Sequence, residues 1–236
     1  MPTTGHTVKA FDQDLDQLRG SIAQMGGLAE QAISESMRAL VQRDVEAAER
    51  VIEADKKIDA LEAEVERNAV QIIALRAPMA DDLRDVVAAL KIAGVVERIG
   101  DYAKNIAKRV RVIDESPSIE PLSLLPEMAR IAGEMLHNVL DAFAARDSDK
   151  AVEVCERDRA VDDFYNSIFR TLLTFMMENP HNITPATHLL FIAKNLERIG
   201  DHSTNVAEMV YFAATGHHMA ERSKGLDPIR SSSSDE

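Results

Sequence analysis

Apolar side chains open this chain at alternating spacings of three and four: Val8, Phe11, Leu15, Leu18, Ile22, Met25, Ala29 and Ala32. At about 100° per residue they share one stripe, which predicts a long helix ending near Arg43. Gly26-Gly27 lies inside it and marks an expected bend. Asp44 is placed to cap a second helix, whose stripe is Val51, Ala54, Ile58, Leu61, Val65 and Ile72. That helix is expected to stop at Arg76-Ala77, because Pro78 disfavours helix in the residue before it. A third runs from about Met79 to Val112. The run from Asp114 to Pro121 then breaks the pattern with two prolines. After it the plan repeats. A fourth helix spans about Leu122 to Ala145, and a tight turn at Arg146-Asp147-Ser148 leads into a fifth that ends near Asn179-Pro180. A sixth is expected to open with Thr184 as cap and Pro185 at the first helical position, and to stop at Gly216.

The predicted fold is all-α: two tandem three-helix bundles of long antiparallel helices. The boundaries read as 1–115 for the first bundle, 116–121 for a linker, 122–216 for the second bundle and 217–236 for a tail. Helices of about 30 residues would be ~45 Å long, giving an elongated molecule. The tail ends Ser231-Ser232-Ser233-Ser234-Asp235-Glu236 and is polar enough to be expected disordered.

The two halves share residues as well as pattern. Glu97-Arg98-Ile99-Gly100-Asp101 returns one hundred residues later as Glu197-Arg198-Ile199-Gly200-Asp201. Asn105, Ala107 and Val110 match Asn205, Ala207 and Val210. Arg43-Asp44 likewise matches Arg146-Asp147, and Asp55-x-x-Ile58-Asp59 matches Asp158-x-x-Val161-Asp162. Two matches in the same order indicate an internal duplication.

Candidate chemistry lies in this duplicated part. On the third helix Ile92, Val96, Ile99, Ala103, Ile106 and Val110 form the apolar stripe, and Glu97, Asp101 and Asn105 fall opposite it. On the sixth, Glu197, Asp201 and Asn205 do the same. The i, i+4, i+8 spacing stacks each triplet in a row, ~6 Å apart, on an outer face or groove. Like charges at i, i+4 and a glycine within a helix are both unfavourable, yet both are kept twice. Asp55 with Asp59, and Asp158 with Asp162, repeat the geometry on the second and fifth helices. If neighbouring helices carry these pairs, four carboxylates per repeat can converge. Oxygen-rich sets of that kind suit Mg²⁺, Mn²⁺, Ca²⁺ or iron rather than structural zinc. The plain alternative is a solvated acidic face in which Arg98 and Arg198 form surface ion pairs.

Composition limits the function. A formal net charge of −13 excludes a basic nucleic-acid footprint and disfavours adsorption to an anionic membrane. One cysteine, Cys155, leaves no intrachain disulfide. The chain has no apolar run of spanning length and no signal-peptide pattern at its start, so the cytoplasm is expected. A di-iron enzyme would need Glu-x-x-His pairs facing a bundle core; Glu134-x-x-His137 is one possible half, but Glu178-x-x-His181 is interrupted by Pro180 at a helix end. A metal-free adaptor docking through its acidic faces is the other alternative.

Glu197 to Glu208, reading ERIGDHSTNVAE, closely resembles the signature of the PhoU family, regulators of the phosphate-specific transport system. Arg76 to Arg84 also looks like that family's entry to its third helix, and the resemblance spans roughly residues 8 to 213. Tyr102 in place of the second copy's His202 marks a departure, where the first site differs in a flanking donor. The resemblance implies paired three-helix bundles and surface motifs that hold metal ions or clusters. Carried onto this chain, the ligands would be Asp55, Asp59, Glu97 and Asp101, then Asp158, Asp162, Glu197 and Asp201, with Asn105 and Asn205 as additional donors. The metal would be divalent or multinuclear: magnesium, manganese, iron or zinc. It also implies a homodimeric, non-enzymatic adaptor that damps phosphate-starvation signalling. Its partners would be the ATPase subunit of a phosphate ABC transporter and a sensor histidine kinase, with membrane association only through them.

Overall fold

The computed structural model describes residues 4–115 and 120–219. The tail from residue 220 and most of the expected linker lie outside the described residues. Helix α1 is Thr4–Gln42, α2 Val45–Ala54, α3 Lys56–Arg76, α4 Asp81–Ala107 and α5 Val110–Asp114. A 3-10 turn, Glu120–Leu124, precedes α6, Leu125–Ala145. Helix α7 is Ser148–Glu178, and a second 3-10 turn, Pro180–Asn182, leads into α8, Ile183–Thr215. The second predicted helix is thus α2 and α3, interrupted at Asp55. The third is α4 and α5, interrupted at Lys108-Arg109.

Local signals explain most ends. The Asp44 carboxylate accepts from Ala47 N at 2.8 Å, and Asp147 accepts from Lys150 N at 2.9 Å, each supplying an otherwise unpaired helix-start N–H. Just before each cap, Arg43 (φ 56°) and Arg146 (φ 53°) take the left-handed conformation that closes the preceding helix. Ala77 closes α3 the same way, and Gly216 closes α8 with φ 74°. Helix α1 is continuous through Gly26-Gly27. One expectation is corrected. Thr184 is not the cap of α8: the chain turns earlier, where Asn179 Oδ1 accepts from His181 N at 3.0 Å. Pro185 then lies buried within the first turn, where its missing N–H leaves no gap in the ladder.

Helix α1 packs on α3 and α4, and α6 packs on α7 and α8. The buried stripes are those the periodicity marked: Leu18, Ile22 and Met25 on α1, Ile58 and Val65 on α3, Ile92, Ile99 and Ile106 on α4. Truncating any of these to alanine costs about 2–5 kcal/mol. The halves then join laterally, α4 on α8 and α1 on α6. Contacts along the α4–α8 seam fix its sense: Arg109 meets His188 and Phe191, Tyr102 meets His202, and Gly216 lies against Arg84. Residue numbers rise on one helix as they fall on the other, so the two are antiparallel. The seam crosses near residues 100–102 and 200–202, which are equivalent by the duplication. The repeats are therefore related by an approximate twofold through that crossing.

Candidate functional site

Each repeat places its carboxylates in the groove between its last two helices: α3 and α4, then α7 and α8. The glycine of each ERIGD sequence lets those helices approach. A methyl group at Gly100 would lie 2.8 Å from Ile58 Cδ1 and 3.3 Å from Asp55 Oδ1. At Gly200 it would lie 3.2 Å from Asp158 Oδ1 and 3.3 Å from Val161 Cγ1. The aspartate of one helix thus sits over the glycine of the next, in both copies.

The grooves are more enclosed than the outward rows read from the spacing. Asp55 is only 4% exposed. The Glu197 side chain is 14% exposed. Glu97, Asp101, Asp158, Asp162, Asp201 and Asn105 are half-buried, whereas Asp59 and Asn205 are exposed. Helical spacing gives the direction of a side chain but not the height of the neighbouring wall, and here a second helix supplies that wall.

Burial raises the Asp55 carboxyl above its ordinary value, although the hydrogen bond from Lys104 opposes the shift. Glu97 is raised by burial and then by the charges of Asp101, Glu62, Asp59 and Asp55. Glu197 is raised by burial, against a hydrogen bond from Lys194, with Asp201 and Asp162 adding to the rise. These shifts mark carboxylates held near one another in partial shelter from water.

Lys104 was not singled out by the sequence reading. Its Nζ donates to Asp55 Oδ2 and to Asp101 Oδ1, joining the α2–α3 break to α4. Burial opposes its charge, but the bonds to Asp101 and Asp55 outweigh that and hold the ammonium above its usual range. Glu62 was also missed; it faces the first groove, and burial and the neighbouring acids raise its carboxyl. In the second repeat Lys194 Nζ donates to Glu197 Oε1 at 2.7 Å and lies 5.2 Å from the Tyr165 ring centre. A signal for Lys104 was present: it follows Asp101 by three positions, on the same helix face.

The acidic oxygens suit a hard cation in kind and in charge. Glu197 Oε2 and Asp55 Oδ1 are buried without a hydrogen-bond partner, as ligand atoms awaiting a cation would be. Among the described residues, however, no three His, Cys, Asp or Glu side chains close on one point. The donors are gathered by the fold but not aimed together.

Other expectations resolve by geometry. His202 packs edge-on against Tyr102 across the seam, with ring centres 5.2 Å apart and the hydroxyl 3.5 Å from Nε2. The Tyr/His difference therefore belongs to the seam as much as to either groove. The di-iron alternative fails: Glu134 pairs with Arg130 and Arg157, and His137 faces solvent near Glu30 and Asp141. No described helix is long and apolar enough to cross a membrane.

Comparison with known proteins adds the family. The PhoU domain profile matches residues 22–110 and again 125–210. The chain is 58% identical over 230 residues to a "phosphate-specific transport system accessory protein PhoU homolog" of Zymomonas mobilis, covering 98% of this chain and 97% of that one. It is 45% identical over 227 residues to the protein of that name from Caulobacter vibrioides, covering 96% and 99%. The crystal structure of PhoU from Pseudomonas aeruginosa superposes with a TM-score of 0.84 at 34% identity, covering 88% of this chain and all of that one. That of the regulatory protein PhoU from Streptococcus pneumoniae gives 0.82 at 27%, covering 89% and all of that chain. With its duplicated helical unit matched twice and nearly its whole length shared with these relatives, the chain belongs to the PhoU family.

Proposed function

We propose that the protein is a metal-binding adaptor that restrains phosphate uptake and phosphate-starvation signalling when phosphate is plentiful. An accessory role in regulating phosphate transport, without a catalysed reaction, follows from family membership. The finer reading is ours. It places the protein in the cytoplasm, as a homodimer, between the ATPase subunit of a phosphate ABC transporter and a sensor histidine kinase. The observation that carries it is the pair of sheltered acidic grooves, built alike on two repeats of a helical frame.

A bound divalent ion would supply charge neutralisation between α3 and α4 or between α7 and α8. The raised carboxyls of Glu97 and Glu197 support this, since burial first and neighbouring acids after it disfavour each charge, which a cation would offset. The chain's own residues fix helix spacing at Gly100 and Gly200, shelter the carboxylates from water and present the groove rims to partners.

Deletion of the gene, scored with a phosphate-responsive promoter reporter, tests the regulatory role. Derepression in high phosphate is expected, and an unchanged reporter would refute it. An Asp101→Asn/Asp201→Asn variant tests the metal role. It is expected to lose its metal while circular dichroism reports unchanged helicity, because both side chains are only half-buried.

A further inference from the structure

We propose that the outer face of the α4–α8 seam is a docking surface for an acidic segment of a partner protein, held by Arg98, Arg109 and Arg198. This supplies a surface for the adaptor role proposed above and rests on that role, but not on any metal.

The sequence sets the charge. Lys91 and Arg98 are seven apart on α4, Arg109 follows eleven later in the break after it, and such spacings return to one side of a helix. Arg198 holds the equivalent of Arg98 on α8. Positions 91, 95, 98, 102, 105 and 109, and positions 188, 191, 195, 198, 202 and 205, include no Asp or Glu. They form a strip without acid in a chain of net charge −13. The fold then leaves the strip open. Helices α4 and α8 lie side by side, and α1 and α6 pack behind them. Lys91, Arg98 and Arg198 are exposed, and Phe191 is 50% exposed. The Arg109 guanidinium lies 4.4 Å from the Phe191 ring centre and that of Arg198 lies 5.8 Å from the Tyr102 ring centre. A guanidinium laid against a ring is held in place while most of its N–H donors stay available. Among the described residues none of these four cations forms an ion pair, whereas Arg19, Arg130, Arg146 and Arg157 all do.

Charge complementarity selects an anionic occupant. The acidic grooves then select among anions. The strip lies between the α3–α4 groove and the α7–α8 groove, so a bilayer or a nucleic-acid duplex would face carboxylates on both sides. A single segment laid along the seam would meet mainly the arginines. From Lys91 to Arg109 the strip runs ~27 Å, the length of a helix of about 18 residues. Arginines beside partly exposed aromatic rings are the side chains that most often anchor such contacts.

The probe is a fluorescein-labelled helical peptide of about 18 residues with glutamate along one face, titrated with the full chain and read by fluorescence anisotropy. The wild-type chain is expected to bind it, more weakly as salt rises. Arg98→Glu/Arg198→Glu should weaken binding roughly tenfold or more. Arg67→Glu/Arg170→Glu makes the same change of charge at equivalent exposed positions on α3 and α7, and should leave binding nearly unchanged. Circular dichroism should show wild-type helicity in both variants, since all four side chains are exposed. Duplex DNA and phosphatidylglycerol vesicles are expected not to displace the peptide. In cells, Arg98→Glu/Arg198→Glu should derepress the phosphate-responsive reporter at an unchanged protein level. Absence of peptide binding, equal losses in the two double variants, displacement by DNA or vesicles, or a reporter that stays repressed would each overturn the inference. A reporter left unchanged by gene deletion would refute the adaptor role itself, whatever the peptide does.

Discussion

The chain's glycines separate by what surrounds them. Gly20, Gly27 and Gly133 have nothing within 4 Å of where a Cβ would be. Alanine at any of them should gain about 1 kcal/mol of helix propensity, seen as a melting temperature higher by roughly 2–4 °C. Gly100 has the Ile58 and Asp55 side chains against it. Gly100→Ala is expected to lower the melting temperature despite the same propensity gain, because overpacking costs about 1–3 kcal/mol. At the same scale, Glu97 is raised above its ordinary 4.5. A carboxyl that holds its proton more tightly folded than unfolded favours the folded chain below the unfolded value, and that advantage is lost as pH rises through the folded one. Glu97→Gln should therefore raise the metal-free melting temperature at pH 7 by about 1–3 °C, a small gain because the site is partly wet, and change little at pH 4.

At the scale of elements, equivalent devices begin both middle helices. A left-handed arginine ends the preceding helix and an aspartate caps the next, at Arg43-Asp44 and Arg146-Asp147. Asp44→Ala and Asp147→Ala should each cost about 1 kcal/mol in denaturant unfolding. The repeats diverge afterwards. Helix α7 runs unbroken past Asp158, whereas its counterpart is interrupted at Asp55, where the carboxylate meets Lys104.

At the scale of the molecule, the two bundles are one packed body. Asp85 on α4 bonds Arg19 on α1 at 3.1 Å and Arg146, in the α6–α7 turn, at 3.0 Å. It is nearly buried and ties the first half to the second. Asp85→Ala leaves two guanidinium groups facing each other and should cost about 2–3 kcal/mol, discounted because both arginines reach water. Gly26 belongs to the same seam. A methyl there would fall 2.1 Å from Leu140 Cδ1, so the absence of a side chain serves the approach of α6.

Periodicity along the chain determined the helices and their stripes, because a helix buries one face and 3.6 residues per turn writes that face into the spacing; repeated residue strings revealed the duplication. The repeated strings located the eight acidic positions and both ERIGD glycines. Their shelter was decided elsewhere. Asp55 reads as one more polar residue off the stripe, and it is buried because α4 brings Gly100 against it and Lys104 above it. The roles of Lys104, Asp85 and Gly26 likewise depend on contacts between residues distant in the chain. Spacing fixes the direction a side chain leaves its own helix; the packing of a second helix decides what it meets.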